Sequence, residues 1–236
     1  MHLADNMWLT AEYRQRMHLS ASHGGQSLYK SHLYAIADLE PFDTFIFGSC
    51  PVSTSSKPAE HSLTVPLTWL VLKKEGTGKL LAVTRDCIDW EFSSGEGKTD
   101  WHDSRARELL NQELFPKLFS PHEAMMVQPT EIEQNGTKTE DKLFLLSREE
   151  VLELFPSSDA LMAALPVLEE DFQNPGRFSV INDLKPWWLR TPGKEDDCCM
   201  AVVTEFGELD EFGIDCDADE IGIRPAMRLD LSAFKL

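Results

Sequence analysis

The sequence has few basic residues and no long apolar run. Lysine and arginine number 22 against 40 aspartates and glutamates, which gives a formal net charge of −18 over 236 residues. A field of this sign repels nucleic-acid phosphates and anionic membrane surfaces. No apolar run approaches the roughly 20 residues that span a bilayer, and the first residues lack a basic region followed by an apolar one. We therefore expect a cytoplasmic protein with no nucleic-acid partner and no membrane partner.

Cysteine is scarce, and its spacing does not suit a metal. The five cysteines are odd in number and widely spread, in a chain long enough to fold without disulfides. The adjacent Cys198 and Cys199 lack the two-residue separation that lets two thiolates reach one zinc ion. This usage is typical of a protein from a reducing compartment.

Sequence motifs for common enzyme chemistry are also missing. The histidines never show the His-x-x-x-His or His-Glu-x-x-His spacing of a helical zinc site, and no nucleophile elbow or phosphate-binding glycine loop occurs. Trp101-His102-Asp103 is the one local cluster with acid and base character. We predict that Asp103 caps a helix and that His102 lies on the preceding loop.

Acidic residues are concentrated near the C-terminus, where residues 195–223 contain no lysine or arginine. Asp215, Asp217 and Asp219 alternate as the first ligands of a calcium loop do, but Glu220 replaces the glycine of the sharp turn. An EF-hand is excluded. A weaker divalent-metal site at the three aspartates stays open beside the alternative of a solvated acidic surface, and no cofactor is predicted.

Strands are predicted at both ends of the central part. Two β-prone runs, Pro66–Leu72 and Lys79–Thr84, flank a glycine turn and predict an antiparallel pair. Phe42–Phe47 predicts a short strand before them, and Asn135-Gly136 marks a turn. The other predicted strands alternate or run apolar: Lys142–Leu146, Trp187–Arg190, Met200–Phe206, Glu208–Ile214 and Gly222–Leu229.

Helices are predicted between these strands. Leucines at helical spacing predict an amphipathic helix over Asp103–Phe119. Ser120 and Ser147 each begin a capping box, so a helix is expected after each of them. Ser158–Phe172 is predicted to be helical with a break at Pro166. Strands at both ends with helices between them indicate an α+β fold rather than a doubly wound sheet.

Residues 1–44 are predicted to form a helical extension ahead of a single domain at residues 45–236. Asn6–His18 and Gln26–Ala37 show loose helical periodicity and are separated by the breaker Gly24-Gly25. A composition that is 42% hydrophobic provides enough apolar material for one sizeable core.

Five segments in a fixed order carry a resemblance to a known family. It is a bacterial family of uncharacterised domains related to the formylglycine-generating-enzyme and C-type-lectin-like fold, and the resemblance extends over roughly Phe45–Leu236. The segments are Pro66-x-x-Trp69-x-Val71-Leu72, Trp101–Leu110, Asp141–Ser147, Trp187–Gly193 and Gly222–Ala226.

The resemblance implies a compact mixed domain whose N- and C-terminal strands meet in one sheet, with a loop-rich face beside Trp187-Trp188. These two tryptophans point to opposite faces of a strand, so one is expected in the core and the other against a loop. The tripeptides of calcium-dependent lectins are absent, and Cys198-Cys199 does not reproduce the cysteine pair of formylglycine-generating enzymes. Neither activity is expected.

Two functional hypotheses remain. The first is a non-catalytic recognition module that binds a protein or a small ligand on the loop face, with exposed aromatic side chains as contacts. The alternative is a metal-assisted enzyme whose site is assembled from dispersed acidic residues, including the acids from Asp215 to Glu220. A purely scaffolding role would instead place the N-terminal helices at an oligomer interface. The candidate ligand-binding residues of the first hypothesis are Trp90, Phe92, Trp101, His102, Trp188 and Arg190.

Two arginines among the predicted strands have a simpler explanation. Arg190 and Arg224 lie where a guanidinium normally has a carboxylate or backbone partner. We therefore expect structural roles for both, since buried charges are usually paired to maintain the fold.

Overall fold

The larger sheet is antiparallel and joins the first and last described strands. The computed structural model describes residues 36–52, 63–88, 100–170, 178–195, 198–218 and 221–232. The expectation that N- and C-terminal strands share one sheet is confirmed, because the last strand pairs with the hairpin near the start. The strands, in sheet order, are β1 (Thr44–Val52), β2 (Leu63–Gly76), β3 (Lys79–Thr84), β12 (Ala226–Asp230) and β4 (Val127–Gln128).

The hairpin predicted from the glycine turn is present as β2 and β3. Its turn contains Gly76 and Gly78, whose φ angles of 149° and 71° suit glycine. Trp69 on β2 is fully buried, and its Nε1 donates to the Phe47 carbonyl at 2.7 Å. This hydrogen bond fixes β1 against the hairpin, since Trp69 also pairs with Phe45 in the strand register.

A three-stranded sheet carries the C-terminal part of the core. Its middle strand pairs with both neighbours, with a register shift between Met200 and Val202, and buries Ala201, Val202 and Val203. Its outer strand on one side has half-buried and exposed side chains, which is typical of an edge. The strands are β9 (Trp187–Pro192), β10 (Cys199–Val203) in the middle and β11 (Leu209–Asp215) at that edge.

Two further hairpins complete the strands of the described residues. The turn of the first is Asn135-Gly136, with φ angles of 51° and 78°, as the sequence predicts. They are β5 (Thr130–Gln134) with β6 (Thr137–Asp141), and β7 (Ala164–Glu170) with β8 (Phe178–Leu184).

The predicted amphipathic helix is present, but it begins later than Asp103 and contains a π-helical segment. A 3-10 turn at Trp101–Asp103 precedes it, and Ser104 caps it by accepting a hydrogen bond from the Arg107 amide. The prediction that Asp103 is the cap is therefore wrong. Pro116 has no N–H to continue the regular pattern. The helical run consists of α1 (Arg105–Glu108), a π-helical segment (Leu109–Leu114) and α2 (Phe115–Leu118).

Both predicted capping boxes are confirmed. Ser120 begins α3 (Pro121–Ala124), and Ser147 begins α4 (Arg148–Leu154). In each box the serine hydroxyl accepts from the amide three residues later, and the glutamate there accepts from the serine amide.

Two predicted elements are wrong. After α5 (Ser158–Leu161) the chain becomes strand β7, because Pro166 cannot donate in a helix and keeps the residue before it extended. Residues 142–146 are buried but form only an isolated bridge between Phe144 and Ala226. The side chain of Asn111 satisfies the amides of Lys142 and Leu143 in place of a neighbouring strand.

The described part of the molecule is mixed and mostly antiparallel β, with short helices, around one apolar core. Trp69, Trp101, Trp187 and Trp188 are the largest side chains buried in it. Within the described residues no helix is long and apolar enough to cross a membrane. The predicted helices of the N-terminal extension lie almost wholly outside those residues.

Candidate functional site

Trp101 and His102 lie on the 3-10 turn, with their side chains in opposite environments. Trp101 is only 1% exposed, so the expectation that it forms part of an exposed aromatic surface is wrong. His102 is exposed, and its Nδ1 lies 2.9 Å from Oδ1 of Asp103. The tryptophan is buried because the turn directs its side chain under the β5–β6 hairpin, where its indole N–H donates to a carboxylate.

That carboxylate belongs to Asp141, which is 3% exposed and gathers three donors. It accepts from Trp101 Nε1 at 2.9 Å, from Thr139 Oγ1 at 2.6 Å and from Arg107 Nε at 2.8 Å. A buried carboxylate with this many partners is fully satisfied. The cluster therefore ties α1 to β6 and leaves no obvious place for a ligand.

Trp188 and Arg190 lie on β9 and are both buried. Trp187 is buried as well, and its Nε1 donates to the Leu161 carbonyl at 3.0 Å, so both tryptophans belong to the core. The guanidinium of Arg190 donates to the Leu145 carbonyl at 2.7 Å and to Oε2 of Glu150 at 2.5 Å. The structural role expected for Arg190 is confirmed, because these bonds fasten β9 to the start of α4.

Arg224 is the most buried charge of the described residues. Its Nε donates to the Thr84 carbonyl at 2.7 Å, and its Nη1 donates to the Leu161 carbonyl at 3.2 Å. The guanidinium carbon lies 5.0 Å from the centre of the Trp187 ring. Burial lowers the pKa of Arg224 to about 10, and burial raises the pKa of the neighbouring Cys87 thiol to about 12. Arg224 remains charged at neutral pH and Cys87 remains a neutral thiol. Both residues therefore have a structural role in the core.

The other candidates are only partly described. Trp90, Phe92 and Asp219 lie outside the described residues, while Asp215 and Asp217 are exposed at the end of β11. Among the described residues, no group of three or more histidine, cysteine or acidic side chains could hold a metal ion. Metal binding that also uses Asp219 stays a prediction.

The structure places exposed aromatic side chains elsewhere, on the hairpin formed by β10 and β11. Phe206 at its tip and Phe212 on β11 are each 67% exposed, more than any other large apolar side chain of the described residues. Neither was among the candidate residues from the sequence. An exposed phenylalanine contributes little to the core of its own fold, so the hairpin that carries both is the candidate contact surface.

The backbone under both phenylalanines is held in place. The amide of Phe206 donates to Thr204 Oγ1 at 3.3 Å, and the amide of Phe212 donates to Asp210 Oδ1 at 3.0 Å. In both cases the side chain two residues before the phenylalanine accepts a hydrogen bond from its backbone amide, which is a local turn motif. A surface whose backbone is already ordered loses less conformational entropy when a ligand binds.

The hairpin is also fixed against its neighbours. A Cβ at Gly207 would lie 2.0 Å from the Ser158 carbonyl oxygen, and a Cβ at Gly193 would lie 2.3 Å from the Phe212 carbonyl oxygen. These contacts require glycine, because any side chain would collide with backbone. The tip thus rests on α5, and the chain that follows β9 crosses directly over β11.

Acidic residues are next to both exposed phenylalanines in the chain. Glu211 is neutralised, because it forms ion pairs with Lys194 and with Arg148. The hydrogen bond from Lys194, supported by Arg148, lowers the pKa of Glu211 below its ordinary value. Glu205 and Glu208, on either side of Phe206-Gly207, have no ion-pair partner within the described chain. We call Glu205, Phe206, Glu208 and Phe212 the hairpin surface.

A family model for a domain of unknown function, DUF6273, matches residues 68–231. The chain belongs to the DUF6273 family. The match begins within β2 and ends just after β12, so the DUF6273 region contains the three-stranded sheet, the hairpin surface and the five-stranded sheet apart from β1 and the start of β2. No curated protein and no solved structure matches the chain. The family description assigns no activity, so any function has to be inferred from the site itself.

The hairpin surface had a sequence signal that composition alone did not show. Thr204-x-Phe206-Gly207 and Asp210-x-Phe212-Gly213 each place a phenylalanine before a glycine and two residues after a side chain that accepts hydrogen bonds. Such segments are typical of tight turns. In a predicted strand, however, a phenylalanine is normally assigned to the core, so this pattern does not by itself reveal exposure.

Proposed function

We propose that this protein is a non-catalytic recognition domain that binds a protein ligand through the hairpin surface. The observation that carries the proposal is the pair of exposed phenylalanines on a backbone that is already ordered. Aromatic side chains dominate the energy of protein interfaces, because they bury much apolar area with few rotatable bonds. The hairpin surface differs from the loop face expected beside Trp187-Trp188, whose aromatic candidates included Trp101, a residue that lies in the core.

A selection of peptides from an unbiased display library on the intact protein tests the proposal. The peptides that bind the wild type are then measured against the double variant Phe206→Ser/Phe212→Ser. We expect at least about a ten-fold loss of affinity, which corresponds to the removal of one or two aromatic contacts.

Met125→Ser is the matched control, because Met125 is 64% exposed but directly follows α3 and is not part of the β10–β11 hairpin. It should leave affinity unchanged. Equal binding by the wild type and the phenylalanine variant, or an equal loss with Met125→Ser, would contradict the proposal.

We also propose the finer assignments that the sequence suggests. A relation to the C-type-lectin-like fold is supported by the sheet in which β12 returns to β3. A bacterial origin rests on the sequence resemblance, and a cytoplasmic location rests on the scarcity and spacing of the cysteines. A fold comparison with an experimental structure of this domain tests the first assignment.

A further inference from the structure

We infer that the ligand of the hairpin surface is a cationic protein segment, rich in lysine or arginine, with at least one apolar side chain. This inference rests on the proposed function and names the chemistry of the partner. The exposed rings supply an apolar contact and a face for cation–π interaction. The charges around the rings determine whether the surface favours a cationic, a neutral or an anionic segment.

Of these charges, those that have no ion-pair partner within the described residues are negative. Glu205 and Glu208 lie on either side of Phe206-Gly207 in the chain, and residues 195–223 contain no lysine or arginine. The basic side chains that reach this region, Lys194 and Arg148, are both paired with Glu211. An anionic segment would meet uncompensated repulsion, whereas a cationic one would be steered to the surface by the field of the whole protein.

The contacts are made by side chains rather than by addition of a strand to β11. The carbonyls of Glu211 and Phe212 already accept hydrogen bonds from the amides of Lys194 and Glu195, at 3.0 and 3.2 Å. A peptide that paired with this part of β11 would have to displace both. Recognition therefore depends on the rings and the carboxylates, which substitutions can remove one at a time.

Three labelled peptides of equal length test the inference by fluorescence anisotropy with the intact protein at low ionic strength. In the first, lysine, serine and leucine repeat; in the second, glutamine replaces lysine; in the third, glutamate replaces it. We expect the lysine peptide to bind at least about ten-fold more tightly than the glutamine peptide, and its affinity to fall as salt is added.

Charge variants locate the effect. Glu205→Gln/Glu208→Gln should weaken the lysine peptide about ten-fold, and Phe206→Ser should weaken both the lysine and the glutamine peptides. Glu131→Gln/Glu140→Gln is the matched control, since these exposed residues face each other across the β5–β6 hairpin and the same number of charges is removed. It should have little effect.

The outcomes separate the two claims. If the glutamine or glutamate peptide binds as well as the lysine peptide and Phe206→Ser still weakens it, the cationic partner is wrong while the recognition surface stands. If binding ignores Phe206→Ser, the proposed function fails with it. If sedimentation shows self-association that Phe206→Ser abolishes, a second copy of the chain covers the surface and the inference is overturned.

Discussion

Asp141 shows how a single buried carboxylate can organise several elements. Its three donors come from the 3-10 turn, from α1 and from its own strand. The Trp101 N–H and the Thr139 hydroxyl are buried, so they are left without a hydrogen-bond partner if this acceptor is lost. Arg107 is partly exposed and can bond to water instead. A buried donor that loses its partner destabilises the fold by its full desolvation cost.

We therefore expect Asp141→Ala to lower the free energy of unfolding by about 3 kcal/mol. The neighbouring Glu140→Ala is the control, because Glu140 is exposed, and it should change stability by less than about 0.5 kcal/mol. Urea unfolding of both variants measures the difference. Similar values for the two substitutions would remove Asp141 from its proposed structural role.

Glu211 provides a pH-dependent contribution at the edge of the hairpin surface. Its pKa is lowered from 4.5 mainly by the hydrogen bond from Lys194. Because the pKa of the folded state is below that of the unfolded state, the stabilisation is complete above about pH 4.5 and is lost as the pH falls through the folded-state pKa.

The difference in urea midpoint between the wild type and Glu211→Gln should accordingly be constant from neutral pH to about pH 5 and shrink below that. Because all other carboxylates are common to the two proteins, their titration affects both urea midpoints equally and drops out of the difference. A difference that is the same at pH 7 and pH 3 would show that the ion pairs of Glu211 do not stabilise the fold.

At the scale of elements, close backbone approach determines how the hairpins sit. Gly207 and Gly136 have nearly equal φ angles, 74° and 78°, so replacing either one carries a similar conformational cost. They differ in their surroundings. A Cβ at Gly207 would lie 2.0 Å from the Ser158 carbonyl oxygen, while a Cβ at Gly136 would have nothing within 4 Å.

Gly207→Ala should therefore destabilise the protein by at least about 2 kcal/mol more than Gly136→Ala, because only the first forces the tip of the β10–β11 hairpin away from α5. Thermal unfolding of the two variants tests this directly. Equal shifts in Tm would mean that the contact between the tip and α5 contributes nothing to stability.

Local signals in the sequence predicted several elements well. The glycine turn of β2–β3, the Asn135-Gly136 turn and both capping boxes depend on neighbouring residues only, and each is present. Ser158–Phe172 was predicted wrongly because the spacing of its apolar residues suits both periods, and Pro166 decided in favour of a strand. The strand predicted over residues 142–146 is wrong, since the hydrogen-bond partner of Lys142 and Leu143 is Asn111, which is distant in the chain.

At the scale of the whole molecule, sequence predicted the sheet but not the surface. The two ends of the domain were expected to meet, and β12 does pair with β3. The exposure of an aromatic residue, by contrast, depends on what the rest of the fold places over it. Trp101 is covered by the β5–β6 hairpin, whereas Phe206 and Phe212 lie on an edge strand and its turn.

We propose above all that ligands bind at the hairpin surface. The most direct test is a ¹H–¹⁵N NMR titration of the intact protein with a peptide selected on it. We expect the largest changes in the amide signals of Phe206, Gly207, Phe212 and Gly213, which lie at or beside the two rings. Changes centred on Trp101 and His102, with the hairpin signals unmoved, would contradict the claim.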